Sequence, residues 1–294
     1  MSAPPPLPFT TPDRPLTWLI TGCSSGFGLS LLRLVQANGH NLIATSRYPS
    51  RTPELVAEVE KNGGKWLALD VDDKNSPALI DSLESSGTHI DVLVNNAGYA
   101  IFSVVESFAD EELRAMMESL YFGPARLMRA VLPYMRKRRF GIVVNMSTGA
   151  ALEGRDSMGG YSAAKAALDG MLLLARPFNI RTLIVFLGTF NTNMGNAALL
   201  SKNPLPDDYK GMPSEKLIEI MSSGQFDADG DKDKAMKAVY EVVLGEGVGK
   251  GLEAERYLPL GRDLAARMLQ VRESYAHTME VFGEVCNNVY RDGK

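Results

Sequence analysis

The stretch "LTWLITGCSSGFG" (residues 16–28) joins an apolar strand pattern to a glycine-rich turn. Gly22 permits a tight turn, Gly26 allows the backbone to approach a ligand closely, and Gly28 lets the following helix pack on the sheet. The helix N-terminus then offers unpaired N–H groups and a positive dipole end, which together favour a pyrophosphate. Glycines alone are a weak signal, but their position between a strand and a helix favours a dinucleotide-binding turn over a merely tight one.

The alternation of strand and helix patterns continues along the chain. Strands are predicted over residues 16–21, 41–46, 65–71, 91–96, 141–147, 180–187 and 255–260. Helices are predicted between them, over residues 27–38, 53–61, 76–86, 110–138 and 160–176. This order predicts an α/β fold, a Rossmann-like doubly wound parallel sheet covered by helices on both faces.

The chain is predicted to form a single domain over residues 16–294, because no linker interrupts the alternation. The proline-rich residues 1–15 predict a flexible N-terminal arm. Residues 190–230 are rich in turn formers and predict a flap over the substrate, and the tail over residues 263–289 predicts a C-terminal helical segment. Core packing and a fairly bulky apolar substrate explain the apolar flap residues equally well. These residues are Phe190, Met194, Leu199, Leu200, Met212 and Phe226.

Composition excludes several other classes of protein. The formal net charge is −4, so no general basic field favours nucleic acid, and the run of residues 136–139 is typical of a solvated helix C-terminus. The two cysteines and three histidines are scattered, which predicts neither a disulfide framework nor a metal site. No signal-peptide pattern and no apolar run of about 18 residues occurs, so no membrane span is predicted and a cytoplasmic location follows by default.

The end of the second strand predicts which dinucleotide binds. Chains that bind NAD usually place an acid there, to accept from the ribose 2′-hydroxyl. This chain has Ser46 and Arg47 instead. A guanidinium in place of an acid suits a 2′-phosphate, which predicts NADP(H), although Arg47 could also be a solvated loop charge.

Four motifs together resemble those of one enzyme family. "TGCSSGFG" (21–28), "NNAG" (95–98), "NMST" (145–148) and "YSAAK" (161–165) have the order and approximate spacing of the short-chain dehydrogenase/reductase family. Details such as "YFGPARLMRAVLPYMRKR" resemble fungal members of its 17β-hydroxysteroid and retinol dehydrogenase-like branch. The resemblance covers residues 16–190.

The resemblance implies roles for the motif residues. Tyr161 is implied to be the acid/base. Lys165, one helical turn further on, would lower its pKa and bind the nicotinamide ribose. Thr148 is implied to polarise the carbonyl, and Ser147 beside it is the second candidate hydroxyl. The implied cofactor-binding residues are Gly22, Ser24, Ser25, Gly26, Phe27, Gly28, Ser46, Arg47, Asp70, Val71, Asn96, Ala97, Gly98, Tyr161, Lys165, Gly188 and Thr189.

The chain departs from the family pattern in four places. Thr148 replaces a serine, Leu120 replaces an asparagine, and Leu187-Gly188 replaces a proline–glycine pair. Leucine cannot bend a helix through a polar contact or hold a water that relays protons to Lys165. The helix after Lys165 is also shorter by about one turn, roughly four residues. Since the family commonly dimerises through this helix, a homo-oligomer is in doubt.

Two functional hypotheses follow. The first is an NADPH-dependent oxidoreductase that reduces a ketone or aldehyde, or oxidises the alcohol, of a fairly bulky apolar small molecule; secondary metabolism is one setting for it. The second is a protein of the same fold that catalyses a rearrangement, cyclisation or dehydration, or that only binds a nucleotide. Leu120, Thr148 and Leu187 motivate the second hypothesis, whereas the retained Tyr161 and Lys165 favour the first.

Overall fold

The computed structural model describes residues 9–171, 176–192, 199–223 and 228–291. Its larger sheet comprises β1 (Thr17–Ile20), β2 (Asn41–Ser46), β3 (Lys65–Ala68), β4 (Val92–Asn95), β6 (Gly141–Thr148), β7 (Ile180–Leu187) and β9 (Tyr257–Leu260). All its pairings are parallel, in the order β3-β2-β1-β4-β6-β7-β9. A separate parallel pair joins β5 (Ile101–Phe102) to β8 (Leu199–Leu200). The predicted doubly wound α/β fold is confirmed.

Helices cover both faces of the large sheet. They are α1 (Gly26–Ala37), α2 (Pro53–Lys61), α3 (Pro77–Ser85), α4 (Asp110–Met117), α5 (Gly123–Arg138), α6 (Ala150–Glu153), α7 (Gly159–Gly170), α8 (Pro213–Ser222), α9 (Lys232–Leu244) and α10 (Arg262–Asn287). Residues of α1 and α9 join one buried apolar cluster, and residues of α3, α5 and α7 join another. Because both faces are covered, β1, β4 and β7 are buried along their whole length, as their unbroken apolar runs indicate.

The helical pattern predicted over residues 110–138 is interrupted by a π turn over Glu118–Phe122, where the Gly123 N–H bonds to the Glu118 carbonyl. Pro124 accounts for the interruption. It has no N–H for the Leu120 carbonyl four residues earlier, and its ring would clash with that carbonyl in a regular helix. Leu120 is buried and its side chain has no polar group, so the π turn has a different cause here.

The described end of the N-terminal arm lies against the body of the protein. The Arg14 guanidinium forms two 2.8 Å hydrogen bonds with Asp91, and the ring of Phe9 lies 5.8 Å from that of Phe140. Bidentate pairing with a buried carboxylate ties Arg14 to the body of the protein. The flexibility predicted for the arm stays a prediction. Residues 1–8 lie outside the described part of the chain.

The last helix, α10, is anchored only at its beginning. Leu264 is buried against Ile184 and Phe186, and Met268 packs beside it. Further along, Tyr275 and Met279 are 69% and 55% exposed. Across the described residues, no helix is both long and apolar enough to span a membrane.

Candidate active site

A cavity of about 350 Å³ opens at the carboxyl ends of β1, β2 and β4. It lies where the strand order reverses between β1 and β4, which is where doubly wound sheets bind dinucleotides. The predicted cofactor residues that line it are Gly22, Ser24, Ser25, Gly26, Phe27, Ser46, Arg47, Asp70, Val71, Asn96, Ala97 and Gly98. The lining also includes Leu69, Tyr99, Ala100 and Thr192, which were not predicted from the sequence.

The glycine-rich turn forms a backbone cradle beneath this cavity. Gly22 has φ +72°, and a Cβ there would lie 2.8 Å from the Cα of Ala97. A Cβ on Gly28 would lie 2.6 Å from the amide nitrogen of the Asn96 side chain, so no side chain fits at either position. At the start of α1, the Ser25 side chain makes no capping bond and the first turn has no acid. The positive helix end is therefore free of side-chain acceptors, which fits a phosphate ligand.

A small polar network supports the cradle from behind. The Asn96 side chain donates to the Thr21 and Gly22 carbonyls at 2.8 and 3.0 Å. The Thr21 hydroxyl accepts from the backbone N–H groups of Asn96 and Ala97 at 2.9 and 3.0 Å. Thr21 is the first residue of the glycine motif but was not among the site residues predicted from the sequence.

The end of β2 presents a guanidinium rather than a carboxylate. Arg47 lies 3.4 Å from the nearest Asp70 oxygen and 3.8 Å from that of Asp72, and about half of its side chain is exposed. The Ser46 hydroxyl accepts a 3.0 Å hydrogen bond from the indole of Trp66. Both acids near Arg47 follow β3, and the position after β2 where NAD-binding chains usually place an acid has none.

A second cavity of about 200 Å³ adjoins the first and shares Phe27 and Thr192 with it. Its lining includes the predicted site residues Ser147, Thr148, Tyr161, Gly188 and Thr189. Its apolar side chains include Phe27, Phe102, Met158, Leu187, Phe190, Leu217 and Met221. The adjoining cavities place an apolar chamber beside the cofactor cradle.

The predicted flap contributes to this second cavity only in part. Phe190 lines it and packs edge-on against Phe27, with ring centroids 5.4 Å apart. Leu199, Leu200 and Met212 are exposed instead, and Met194 and Phe226 lie outside the described residues. Leu217 and Met221, which stand at i and i+4 on α8, line the cavity and were missed.

Tyr161 and Lys165 are both buried at the inner wall of the site. The Lys165 ammonium donates to the Met146 carbonyl at 2.6 Å and lies 6.0 Å from the centre of the Tyr161 ring. The Ser147 hydroxyl donates to Asp169 at 2.6 Å, so its proton is already engaged. The Thr148 hydroxyl accepts from the Ala150 N–H at 3.2 Å, which leaves its own proton free to donate.

Burial controls the ionisation of these groups. It raises the pKa of the Tyr161 phenol, and the charge of Asp169 raises it further. Burial lowers the pKa of Lys165 to about 8, which the charge of Asp169 partly opposes. The resemblance implied that Lys165 and the charge of a bound nicotinamide together lower the Tyr161 pKa, whereas in the protein alone burial and Asp169 raise it. The phenol is therefore protonated at neutral pH and able to give a proton.

Gly188 and Thr189 are held by the start of α10. The Asp263 carboxylate accepts from the Thr189 N–H at 3.2 Å and from its hydroxyl at 2.9 Å. A Cβ on Gly188 would collide with the same carboxylate. No group of three or more His, Cys, Asp or Glu side chains in the described residues could hold a metal ion.

Comparison with known proteins identifies relatives over most of the chain. The family model for short chain dehydrogenases matches residues 17–202. The 3-ketodihydrosphingosine reductase of Bacteroides thetaiotaomicron is 38% identical over 219 residues, covering 70% of this chain and 77% of that protein. Oxidoreductase claN of Passalora fulva is 36% identical over 190 residues (62% and 85%). Retinol dehydrogenase 8 of Bos taurus is 31% identical over 221 residues (73% and 65%).

Solved structures show the same fold. A short-chain dehydrogenase from Streptomyces avermitilis superposes with a TM-score of 0.81 at 30% identity, covering 94% of this chain and 100% of that one. A short-chain dehydrogenase from Sphingobium yanoikuyae, solved in complex with NADPH, has a TM-score of 0.69 at 20% identity and covers 95% and 97%.

Proposed function

The chain belongs to the short-chain dehydrogenase/reductase family, and from this premise we propose that it is an NADPH-dependent oxidoreductase. It reduces a ketone or aldehyde of a fairly bulky apolar small molecule, or oxidises the corresponding alcohol. The observation that carries the proposal is the position of Tyr161 and Thr148, which line the apolar chamber beside the dinucleotide cradle, with Lys165 buried behind them.

The cofactor assignment rests on the cradle and on Arg47. The turn from Gly22 to Gly28 with the open N-terminus of α1 suits a pyrophosphate, and the guanidinium after β2 suits a 2′-phosphate. Asp70 and Asp72 hold Arg47 at the mouth of the cavity, and a phosphate there would exchange these exposed pairs for a bidentate contact. Lys165, adjacent to Gly98, would hold the nicotinamide ribose.

When bound, NADPH supplies the hydride. The protein residues then orient the carbonyl and supply the proton. The Thr148 hydroxyl donates a hydrogen bond to the carbonyl oxygen, and Tyr161 transfers its phenolic proton to the same oxygen as negative charge develops there. Lys165 stabilises the phenolate that remains. The phenol is protonated at neutral pH, so Tyr161 holds the proton that reduction needs.

The substrate class is inferred from the walls of the chamber. Its side chains are mainly aromatic and aliphatic, and its flap side carries Phe190, Leu217 and Met221. The names of two relatives, 3-ketodihydrosphingosine reductase and retinol dehydrogenase 8, support a keto or alcohol group as the reacting centre.

Two of the three replacements that motivated the non-redox hypothesis are compatible with redox catalysis. A serine is replaced by Thr148, but a hydroxyl with a free proton remains at that position. Leu120 has no polar side chain, but Pro124 accounts for a π turn at this position. Both features fit the redox hypothesis.

The proposal is tested with a panel of carbonyl compounds that vary in size and polarity, monitored by loss of NADPH absorbance. We expect turnover with bulky apolar ketones or aldehydes and a preference for NADPH over NADH. Consumption of no nicotinamide cofactor by any member of the panel, in either direction, would contradict the proposal.

A further inference from the structure

A carboxylate that the proposed mechanism does not use lies beside the active site. Asp169 follows Tyr161 by eight residues and Lys165 by four, so the three side chains form one stripe along α7. One carboxylate oxygen, Oδ2, accepts from the Ser147 hydroxyl at 2.6 Å. The other, Oδ1, is shielded from solvent and has no hydrogen-bond partner among the described residues. A buried, half-satisfied carboxylate costs folding free energy, so its presence calls for a reason.

Two hydrogen bonds tie α7 to the end of β6. Lys165 donates to the carbonyl of Met146, and Ser147 donates to Asp169, both at 2.6 Å. The two bonds therefore hold Met146 and Ser147, which are consecutive in the strand and directly precede Thr148. Asp169 thereby helps to fix the separation between the Thr148 hydroxyl and the Tyr161 phenol, which in the proposed reaction meet on one substrate oxygen.

Asp169 also supplies a negative charge that raises the pKa of Lys165. A Cβ built on Gly98 would lie 2.6 Å from Leu120 Cδ2 and 3.9 Å from Lys165 Nζ, so both side chains lie near Gly98. The elements packed against α7 are α4, α6, β6 and the π turn. Their charged groups each have a partner elsewhere: Asp110 with Arg114, Glu111 with Lys202, Glu112 with the Lys202 N–H, Glu118 with Arg126, and Glu153 with Arg267.

We propose that Asp169 is a positioning residue of this site, which holds the Thr148 end of β6 against α7 and supplies the counter-charge that keeps Lys165 protonated. The inference rests on the proposed function, because a fixed Thr148 and a charged Lys165 matter only if Tyr161 exchanges a proton. Its first test nevertheless requires no turnover.

The first test is an NMR titration of the free protein labelled with [¹³Cε]-lysine. The Lys165 signal is identified by its loss in Lys165→Met, and its midpoint in the wild type is expected at about 8. Asp169→Asn keeps an acceptor for Ser147 and removes the negative charge, so we expect the midpoint to fall by about one pH unit. Asp156→Asn, which removes an exposed carboxylate from the loop before α7, should leave it unchanged. An unchanged midpoint in Asp169→Asn would show that Asp169 is not the counter-charge of Lys165.

The second test uses the carbonyl substrate found with the panel. Ser147→Ala removes the hydrogen bond and keeps the charge, so kcat should fall about tenfold with little change in the Lys165 midpoint. Asp169→Asn should lower kcat and also move the alkaline limb of the pH profile to lower pH. Wild-type kcat in Ser147→Ala would overturn the positioning role. If the wild type reduces no carbonyl, the proposed function fails, whereas the Lys165 titration still decides the counter-charge.

Discussion

At the residue scale, the site depends on a few groups whose surroundings set their chemistry. Burial raises the pKa of Tyr161 and lowers that of Lys165 to about 8, and Thr148 keeps a free hydroxyl proton. The sequence predicted these three residues because their motifs are short and ordered. It could not predict the direction of the Tyr161 pKa, because desolvation depends on how residues distant in sequence close around the ring.

The prediction on cofactor choice also concerns a single residue, Arg47. Arg47→Ala removes the guanidinium directly after β2, so we expect NADPH affinity to fall about tenfold or more while NADH affinity changes little. Fluorescence titration with both nucleotides measures this, and Arg51→Ala, which removes a cation stacked on Tyr48, is the matched control. Equal losses for NADPH and NADH in Arg47→Ala would exclude a contact with the 2′-phosphate.

Thr148 is tested by two substitutions that differ in a single group. Thr148→Ser keeps the hydroxyl, so turnover should be kept or raised. Thr148→Val keeps the shape and loses the donor, so kcat should fall by about 10²-fold, the usual loss for one such donor. Steady-state kinetics with the preferred carbonyl distinguishes them. Normal reduction by Thr148→Val would show that another group polarises the carbonyl.

At the element scale, the strands were the most predictable part of the molecule. Buried parallel strands have nearly continuous apolar runs, and the seven patterns correspond to the seven strands of the large sheet. The π turn was not predicted, although Pro124 could have indicated it. The contact of Asp263 with Thr189 could not be predicted, since it joins the end of β7 to the start of α10 across 74 residues.

The packing of Asp263 against the end of β7 predicts that a methyl group added there lowers the free energy of unfolding. Gly188→Ala would drive a Cβ into the Asp263 carboxylate, so we expect a loss of about 1–3 kcal/mol of unfolding free energy and weaker NADPH binding. Gly170→Ala is the matched control, because a Cβ there meets nothing within 4 Å. Denaturant unfolding compares the two. Equal stability of both variants would contradict the described packing of α10 on β7.

At the scale of the whole molecule, the buried carboxylate of Asp169 lowers the free energy of unfolding when it is ionised. Burial raises the pKa of Asp169 to about 6 from an ordinary value of 3.8. A carboxylate whose folded pKa is raised contributes stability at low pH that is lost as the pH rises through its folded pKa. Between about pH 4.5 and 6.5, the wild type should therefore lose about 2 kcal/mol relative to Asp169→Asn. Parallel pH dependences of unfolding free energy in the two proteins would refute a buried, ionisable Asp169.

The central claim, that the protein is a reductase whose proton comes from Tyr161, is tested most directly by Tyr161→Phe. This variant keeps the buried ring and removes only the hydroxyl. Carbonyl reduction should fall by at least about 10²-fold, the lower range for loss of a general acid. NADPH binding should remain nearly intact, because the cradle, Arg47 and Lys165 are unchanged. Product formation that consumes no NADPH and survives Tyr161→Phe would contradict the account.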